Sequence, residues 1–538
     1  MPSRRLFVTL IALLLGLNFL VLLSAESGKP GIVSGTIESV SADKKKVTLK
    51  PSGNKSKQIF SVPENATITL DGKTAKLDEL KVGQQISVFT SSSDAVTKLV
   101  VRAGTASSSP VNPATTKGEP AETPVPKAKT TKPSRSTTEE SASGADGGDS
   151  PQFRGPRRDG HAGPGKIAAT WPAQGPKQLW SANGLGEGYS AVSVANGRVY
   201  TMGLIANDEK VLALDEKSGK PLWSTSTGGE PFKDGAGNGP RCTPTVDGDR
   251  VYAMGCFGDL VCLDAKSGQR KWHKNVLKEF GFRNKTTQWG ICESPLIDGD
   301  KVIVTPGGND ATMVALNKNS GDVIWRSKAP GNPASSYASA IAIDVGGVRQ
   351  YVNFTARGLI GVRADDGEFL WQNDSAGNGT ANCSAPVFHD IHVFYASGYG
   401  TGGACLRLES NGNTTKADEV YKTREMQNHH GGMVVVDGFL YGCNEKILTC
   451  LDMLTGKVAW QNRSVGKGSI TYADGLLILR SEDGPLALVE ANSQRYVEKA
   501  RFDQPKRSNR PSWAYPVVAN GRLFLHDLDN LLCYDLRR

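Results

Sequence analysis

The stretch Ala213-Leu-Asp-Glu-Lys-Ser-Gly219-Lys-Pro-Leu-Trp223 decides the fold, because it comes round again. A small residue, a turn glycine six places on and a tryptophan ten places on recur as Cys262/Gly268/Trp272, Ala315/Gly321/Trp325, Gly361/Gly367/Trp371 and Cys450/Gly456/Trp460. The small position recurs without the tryptophan at Cys405, Ala487 and Cys533, which makes eight units. Each unit follows a hairpin signal. Asn196-Gly197, Asp247-Gly248, Asp298-Gly299, Asp437-Gly438, Asp474-Gly475 and Asn520-Gly521 suit type I′ turns, and Asp344 and Asp390 fill the two remaining slots. The interval averages about 46 residues, the length of a four-stranded propeller blade. The expectation is an all-β chain whose residues 151–538 form an eight-bladed β-propeller.

The recurring pair has a physical reading. Blades pack face to face, so an indole on one blade needs a hollow on the next, and the small residue is expected to supply it. Trp180, Trp223, Trp272, Trp325, Trp371 and Trp460 are the docking candidates. The unit at Cys533 reaches Arg538 before a tryptophan can follow, while Lys177-Gln-Leu-Trp180-Ser carries a spare one ahead of the first unit. The two ends of the repeat are therefore expected to share one blade and so remove an exposed edge.

Ahead of the repeats the chain changes character twice. Residues 31–103 contain Gly35-Thr-Ile-Glu-Ser-Val, Lys46-Val-Thr-Leu-Lys, Ala66-Thr-Ile-Thr-Leu and Gln85-Ile-Ser-Val-Phe, runs with the period-2 alternation of half-buried strands. With a turn signal at Asp71-Gly72 they predict a small all-β, barrel-like domain of five or six strands. Residues 104–150 are rich in Ser, Thr, Pro, Ala, Lys and Glu and hold no aromatic residue, so they read as a disordered linker. As a flexible coil it would span about 40 Å. Residues 1–25 read as a signal peptide or a retained N-terminal anchor: Arg4 and Arg5 precede the apolar run from Leu6 to Leu23. No cysteine precedes Cys242, which argues against a lipid-modified N-terminus. The expected location is outside the cytoplasm, in the periplasm or cell envelope, with membrane contact through residues 6–23 if that segment is uncleaved. A net charge of +9 over 538 residues, without long basic runs in the repeats, points away from nucleic acid.

The motif Ala-Leu-Asp215-x-x-Ser-Gly219-x-x-x-Trp223, repeated around a ring, resembles the quinoprotein alcohol-dehydrogenase-like superfamily. The segment Gln152-Phe-Arg-Gly-Pro156-x-x-Asp159-Gly160 is similar to the start of PQQ-binding-like β-propeller repeat proteins. The resemblance covers roughly residues 151–538 and implies the fold more strongly than the function. One branch, the BamB-like one, is a non-enzymatic scaffold of outer-membrane assembly. Another oxidises alcohols or polyols with PQQ, held between a tryptophan and a disulfide of adjacent cysteines beside a Ca²⁺ ion. This chain has no Cys-Cys dipeptide, and its spacing yields no Ca²⁺ trio. The resemblance therefore implies an exported binding or scaffold protein with an envelope protein or peptide partner and no catalytic residue. A PQQ-dependent dehydrogenase and a carbohydrate- or polymer-binding propeller are the alternatives.

Candidate site residues come from the register of the repeat. Counting back six to nine residues from each hairpin signal gives Tyr189, Arg241, Trp289, Tyr337, Asn382, His429, His430 and Trp513, which should ring one end of the axis. Aromatic side chains with Arg and His make a ligand or peptide mouth as readily as a plug of the channel. His429-His430 precedes the run Gly431-Gly-Met-Val-Val-Val-Asp437; if both lay on that strand they would face opposite ways, so no metal site is expected. Cys262, Cys405, Cys450 and Cys533 occupy the small slot and read as core residues. Cys242, Cys256, Cys292, Cys383 and Cys443 are five in number, which leaves at least one thiol unpaired.

Overall fold

A computed structural model describes residues 31–41, 45–51, 57–64, 66–70, 73–90, 96–102, 148–235, 237–281 and 287–538. The apolar run 6–23, the Asp71-Gly72 turn and the linker up to residue 147 lie outside the described residues. Among the described residues no helix is long and apolar enough to cross a membrane. The chain divides into two units, Met1–Ser136 and Thr137–Arg538.

The first unit holds one seven-stranded sheet. Its order is Gln58–Ser61, Lys46–Pro51, Gly31–Ser41, Gln85–Thr90, Val96–Arg102, Thr67–Leu70, Lys73–Thr74. The four alternating runs are all strands, and three further strands join them. Ile37, Val47, Leu49, Ile86, Val88, Leu99 and Val101 form its buried core.

The second unit is a β-propeller built from four-stranded antiparallel sheets, eight of them among the described residues. The first runs Ser193–Ala195, Arg198–Ile205, Asp208–Asp215 and Pro221–Ser226. Of the expected hairpin turns, Asn196-Gly197 has both residues at positive φ, as type I′ requires. Two turns sit one residue later. Asp247 pairs with Arg250 and Asp298 with Lys301, so the loops are Gly248-Asp249 and Gly299-Asp300. In the fourth sheet the turn is Gly346-Gly347, not Asp344.

The tryptophans join successive sheets, by a contact different from the one expected. Each indole lies across the small residue of its own sheet: Ala213 pairs with Trp223, Cys262 with Trp272, Ala315 with Trp325, Gly361 with Trp371 and Cys450 with Trp460. The hollow on the neighbouring sheet is the turn glycine instead. A Cβ placed on Gly219 would stand 2.4 Å from Trp180, on Gly268 2.6 Å from Trp223 and on Gly367 2.5 Å from Trp325. The indole Nε1–H then donates to a neighbouring carbonyl: Trp180 to Glu216 (3.0 Å), Trp223 to Ala265 (3.2 Å), Trp272 to Lys318 (2.9 Å), Trp325 to Ala364 (3.1 Å) and Trp460 to Asn492 (2.7 Å). Trp371 departs from this pattern and donates to Gln350 of its own sheet, because the following unit carries Asn411 at the turn-glycine position. In that unit Tyr421 replaces the missing tryptophan. It pairs with Cys405, lies against Gly456 and donates to the carbonyl of Met453 at 2.7 Å. The seventh sheet has no such residue, since Arg501 faces Ala487. Phe502 is met there edge-on by Trp171, from the segment ahead of the repeats, at 5.6 Å.

The eighth sheet is completed from the other end of the repeat. Gln178–Ala182 pairs with Asn530–Asp535, with Trp180 opposite Cys533. Burying a side chain of this size is worth roughly 3–5 kcal/mol against truncation to Ala. A chain lacking residues 1–146 is therefore expected to show one cooperative melt. A chain lacking residues 1–182 should aggregate or melt much lower, because its eighth sheet keeps an open edge. Thermal denaturation followed by near-ultraviolet circular dichroism checks this, and equal melting temperatures would disprove closure through Trp180.

Candidate functional site: an aromatic mouth on a closed floor

The channel of the propeller is crossed by residues 150–162, ahead of the first sheet. Ser150 exchanges two backbone hydrogen bonds with Val194, and the carbonyl of Pro151 accepts from Val246. Further along, the carbonyl of Gly160 accepts from Tyr472, and Ala162 donates to the carbonyl of Tyr472. Two arginines pin the segment between these ends. Arg158 is 2% exposed and donates to the carbonyls of Ala340 (2.9 Å), Ser294 (2.7 Å) and Pro295 (3.2 Å). Arg154 donates to the carbonyl of Met433 and stacks on the ring of Tyr515 at 5.4 Å. Burial pulls Arg158 down to about 10, which leaves it charged at neutral pH. The buried carboxyl of Glu293 is its nearby counter-charge. It accepts from the backbone N–H of Thr305 (2.6 Å), the Thr305 hydroxyl (2.9 Å) and the Asn353 amide (3.0 Å).

Above this floor opens a cavity of about 330 Å³. Seven of the eight residues chosen from the repeat line it: Tyr189, Arg241, Trp289, Tyr337, His429, His430 and Trp513. Asn382 does not. It is buried, with its amide donating to the carbonyls of Thr355 (3.0 Å) and Asn378 (3.3 Å), while Ala381 and Cys383 on either side line the cavity. Sequence reasoning missed Phe153 and Tyr515 at the floor and Tyr399 at the rim. It also missed Ala191, Thr243 and Ser339, each two places beyond a chosen residue. An extended segment sends alternate side chains to the same side, so a step of two along each approach would have found that second ring.

The wall is aromatic. Tyr189 packs on Trp513 with ring centres 4.5 Å apart, Trp289 on Tyr337 at 5.5 Å and Tyr399 on His429 at 4.8 Å. Arg241 is less available than its position suggested. Its guanidinium is sandwiched between Tyr189 and Phe232 and donates to the carbonyls of Gly237 (2.9 Å) and Gly239 (3.0 Å). Its role here is to hold Gly237 and Gly239 against the wall. No disulfide joins any of the nine cysteines. The four in the small slot are fully buried, and burial pushes Cys292, at the cavity, up to about 11, which removes thiolate reactivity.

The two histidines correct the strand argument. The strand begins only at Met433, so His429 and His430 lie in a bend before it, where alternation does not apply. Their Nδ1 atoms approach to 3.3 Å. Nε2 of His430 lies 3.0 Å from Oε1 of Glu482, and Nε2 of His429 lies 2.9 Å from the Tyr399 hydroxyl. Burial and the Lys467 ammonium hold His429 down at about 4; burial and the neighbouring His429 and Lys467 hold His430 well below its ordinary value. Both imidazoles are neutral at physiological pH.

The family model described as "Outer membrane protein assembly factor BamB" matches residues 162–287 and 207–462. The chain belongs to this family. Among individual proteins it is similar to outer membrane protein assembly factor BamB of Shewanella oneidensis, at 23% identity over 318 residues, 57% of this chain and 78% of the relative. It is also similar to quinoprotein alcohol dehydrogenase PedH of Pseudomonas putida, at 26% identity over 304 residues. That match covers 54% of this chain and 45% of the dehydrogenase, so the chain spans under half of that relative. Among solved structures, quinohemoprotein alcohol dehydrogenase from Comamonas testosteroni superposes with a TM-score of 0.51 at 13% identity, covering 72% of this chain and 80% of that one. A likeness at that identity shows the fold alone. Membership of the BamB family bears out the resemblance carried by the Gly219/Trp223 repeat.

The floor gives this BamB-family chain a pH dependence. Burial pushes the Glu293 carboxyl up to about 7, above its ordinary 4.5. A carboxyl raised on folding contributes stability that is complete below its unfolded value and is lost as pH rises through its folded value. Glu293→Gln removes that titration. The wild type is expected to lose on the order of 3 kcal/mol relative to the variant between pH 5 and pH 8. Urea denaturation at both pH values measures it, and parallel pH profiles would show that Glu293 does not titrate in this range.

Proposed function

We propose that this chain is an exported, non-catalytic binding protein of the cell envelope, and that the aromatic mouth takes a peptide or loop of an envelope partner. The observation that carries the reading is the wall of Tyr189, Trp289, Tyr337, Tyr399 and Trp513 above a floor closed by residues 150–162. Rigid aromatic side chains give large contact area at low entropic cost, and such residues dominate binding energy at protein interfaces. On this reading each four-stranded sheet is one blade of a single eight-bladed ring. The domain at 31–103 is a small barrel-like module, 104–150 is its linker, and 1–25 is a signal or anchor.

The residues at the mouth do not fit PQQ with Ca²⁺. Ca²⁺ takes six to eight oxygen ligands, mostly carboxylates and carbonyls. The cavity lining holds no Asp or Glu, and its one arginine is already committed to two loop carbonyls. Cys292 and Cys383 line the cavity, but they are far apart in sequence and cannot form the disulfide of adjacent cysteines.

The test is Trp289→Ala together with Tyr399→Ala, in full-length protein used as bait in envelope extract. Tyr399 is 49% exposed, so its loss costs little stability. Capture of the wild type's partner is expected to fall by more than about tenfold, since each aromatic anchor is worth 1 kcal/mol or more. The melting temperature should move by only a few degrees. Unchanged capture would refute the mouth, and dye-linked alcohol oxidation on reconstitution with PQQ and Ca²⁺ would refute the non-catalytic reading.

A further inference from the structure

The aromatic anchors leave one polar cluster at the mouth unused. His429, His430 and Glu482 each place a ligand-capable atom within 4.8 Å of the others. No other group of this kind occurs among the described residues. The three come from two places in the sequence. The histidines lie in the bend before Met433–Val436, and Glu482 directly follows Leu476–Ser481 of the next sheet. Backbone hydrogen bonds fix Glu482 on both sides: its N–H donates to Lys467, and its carbonyl accepts from Ser512. His430 is held through its own carbonyl, which accepts from the Tyr515 hydroxyl at 2.6 Å.

The geometry is that of converging ligands rather than of a finished hydrogen-bond network. Nε2 of His430 is buried and makes no hydrogen bond, although Oε1 of Glu482 is 3.0 Å away, because the alignment is wrong for N–H donation. A buried imidazole nitrogen left in this state is costly unless something fills the gap. The second layer is present as well. The Tyr399 hydroxyl meets Nε2 of His429 at 2.9 Å, and the Trp513 indole donates to Oε1 of Glu482 at 3.1 Å. Metal-ligating histidines and carboxylates are oriented by such partners.

We propose that His429, His430 and Glu482 bind one divalent ion of the Zn²⁺ class, with its open coordination position facing the aromatic cavity. Two imidazoles and one carboxylate suit Zn²⁺, not Ca²⁺ or Mg²⁺, which prefer oxygen alone. The inference stands apart from the peptide-binding reading, since neither anchor, Trp289 or Tyr399, is one of the three ligands. It also predicts a role for Lys467. Its ammonium lies 3.5 Å from Oε1 of Glu482 and competes with a metal for that carboxylate. Metal binding must displace it.

The test is calorimetric titration of the untagged, full-length protein with ZnCl₂, paired with the visible spectrum of the Co²⁺-loaded protein. One saturable site and the intense visible bands of four-coordinate Co²⁺ are expected. His430→Ala and Glu482→Gln should each weaken Zn²⁺ by more than about tenfold. His273→Ala, at the ion pair with Asp259 far along the sequence, should leave the affinity unchanged. Lys467→Gln should tighten binding, because it removes the competing cation. If His430→Ala unfolds by circular dichroism, His429→Asn takes its place. The proposal is overturned if the wild type binds no Zn²⁺ saturably. Equally fatal are undiminished affinity in Glu482→Gln and His430→Ala, or in the His429→Asn substitute, and weaker binding in Lys467→Gln. Partner capture is read separately and does not bear on these results.

Discussion

The contact on which the rest depends is an indole lying across its own sheet and onto the turn glycine of the next. It is a two-sided fit. On one side a residue no larger than Cys lets the ring lie flat on its own ladder; on the other, the missing Cβ of a glycine lets it touch backbone. The Nε1–H bond to a neighbouring carbonyl then fixes direction as well as distance. A β-bulge follows the small residue in these sheets, at Ala213/Leu214, Cys262/Leu263, Ala315/Leu316 and Cys450/Leu451, so the strand bends where the ring crosses it. Repetition of one rigid joint sets the angle between successive sheets. That angle places the innermost strands around an axis and brings residues as distant as Tyr189 and Trp513 to 4.5 Å.

Much of this was legible because the joint is local in sequence. The small residue, the glycine and the tryptophan fall within one unit, and their spacing recurs in five of the eight units. Closure was legible for the same reason: a unit lacking its tryptophan at one end matched a spare Trp180 at the other. What the pattern could not tell was which contact is internal to a sheet and which crosses to the next, since both involve the same indole. The small residue was therefore assigned the role that belongs to the glycine. Tyr421 shows a further limit. It fills the tryptophan's place with a hydroxyl in place of an indole N–H, so the physics persists where the residue type does not.

The mouth was legible as a register and not as chemistry. Equivalent positions in a ring converge, so counting from the hairpins found Trp289, Tyr337 and Trp513. The count could not see Phe153, which arrives from outside the repeat, or Tyr399, which arrives from the turn between His392–Ser397 and Gly402–Ser410. It also could not see what each side chain was already doing. Arg241 was chosen as a mouth residue and is a brace, because two loop carbonyls reach it first. The histidines were judged by the alternation of a strand they precede; they lie in the bend before Met433, where that alternation does not apply.

The floor explains why the cavity persists. Inner strands that converge on an axis leave unpaired backbone carbonyls facing the channel, at Ser294, Pro295, Ala340 and Met433. Buried carbonyls need donors, and in a dry channel they would draw the ring inward or draw in water. Arg154 and Arg158 supply those donors from one short segment, spanning the third, fourth and sixth sheets at once. A lysine would reach one carbonyl where the planar guanidinium of Arg158 reaches three. With these carbonyls paired below, the space above is left to aromatic side chains. At its edge, Nε2 of His430 is buried without a hydrogen bond, 3.0 Å from Oε1 of Glu482. An apolar mouth with one unsatisfied polar corner orients whatever enters it, because only a group able to complete that corner can bind without leaving a buried nitrogen unpaired.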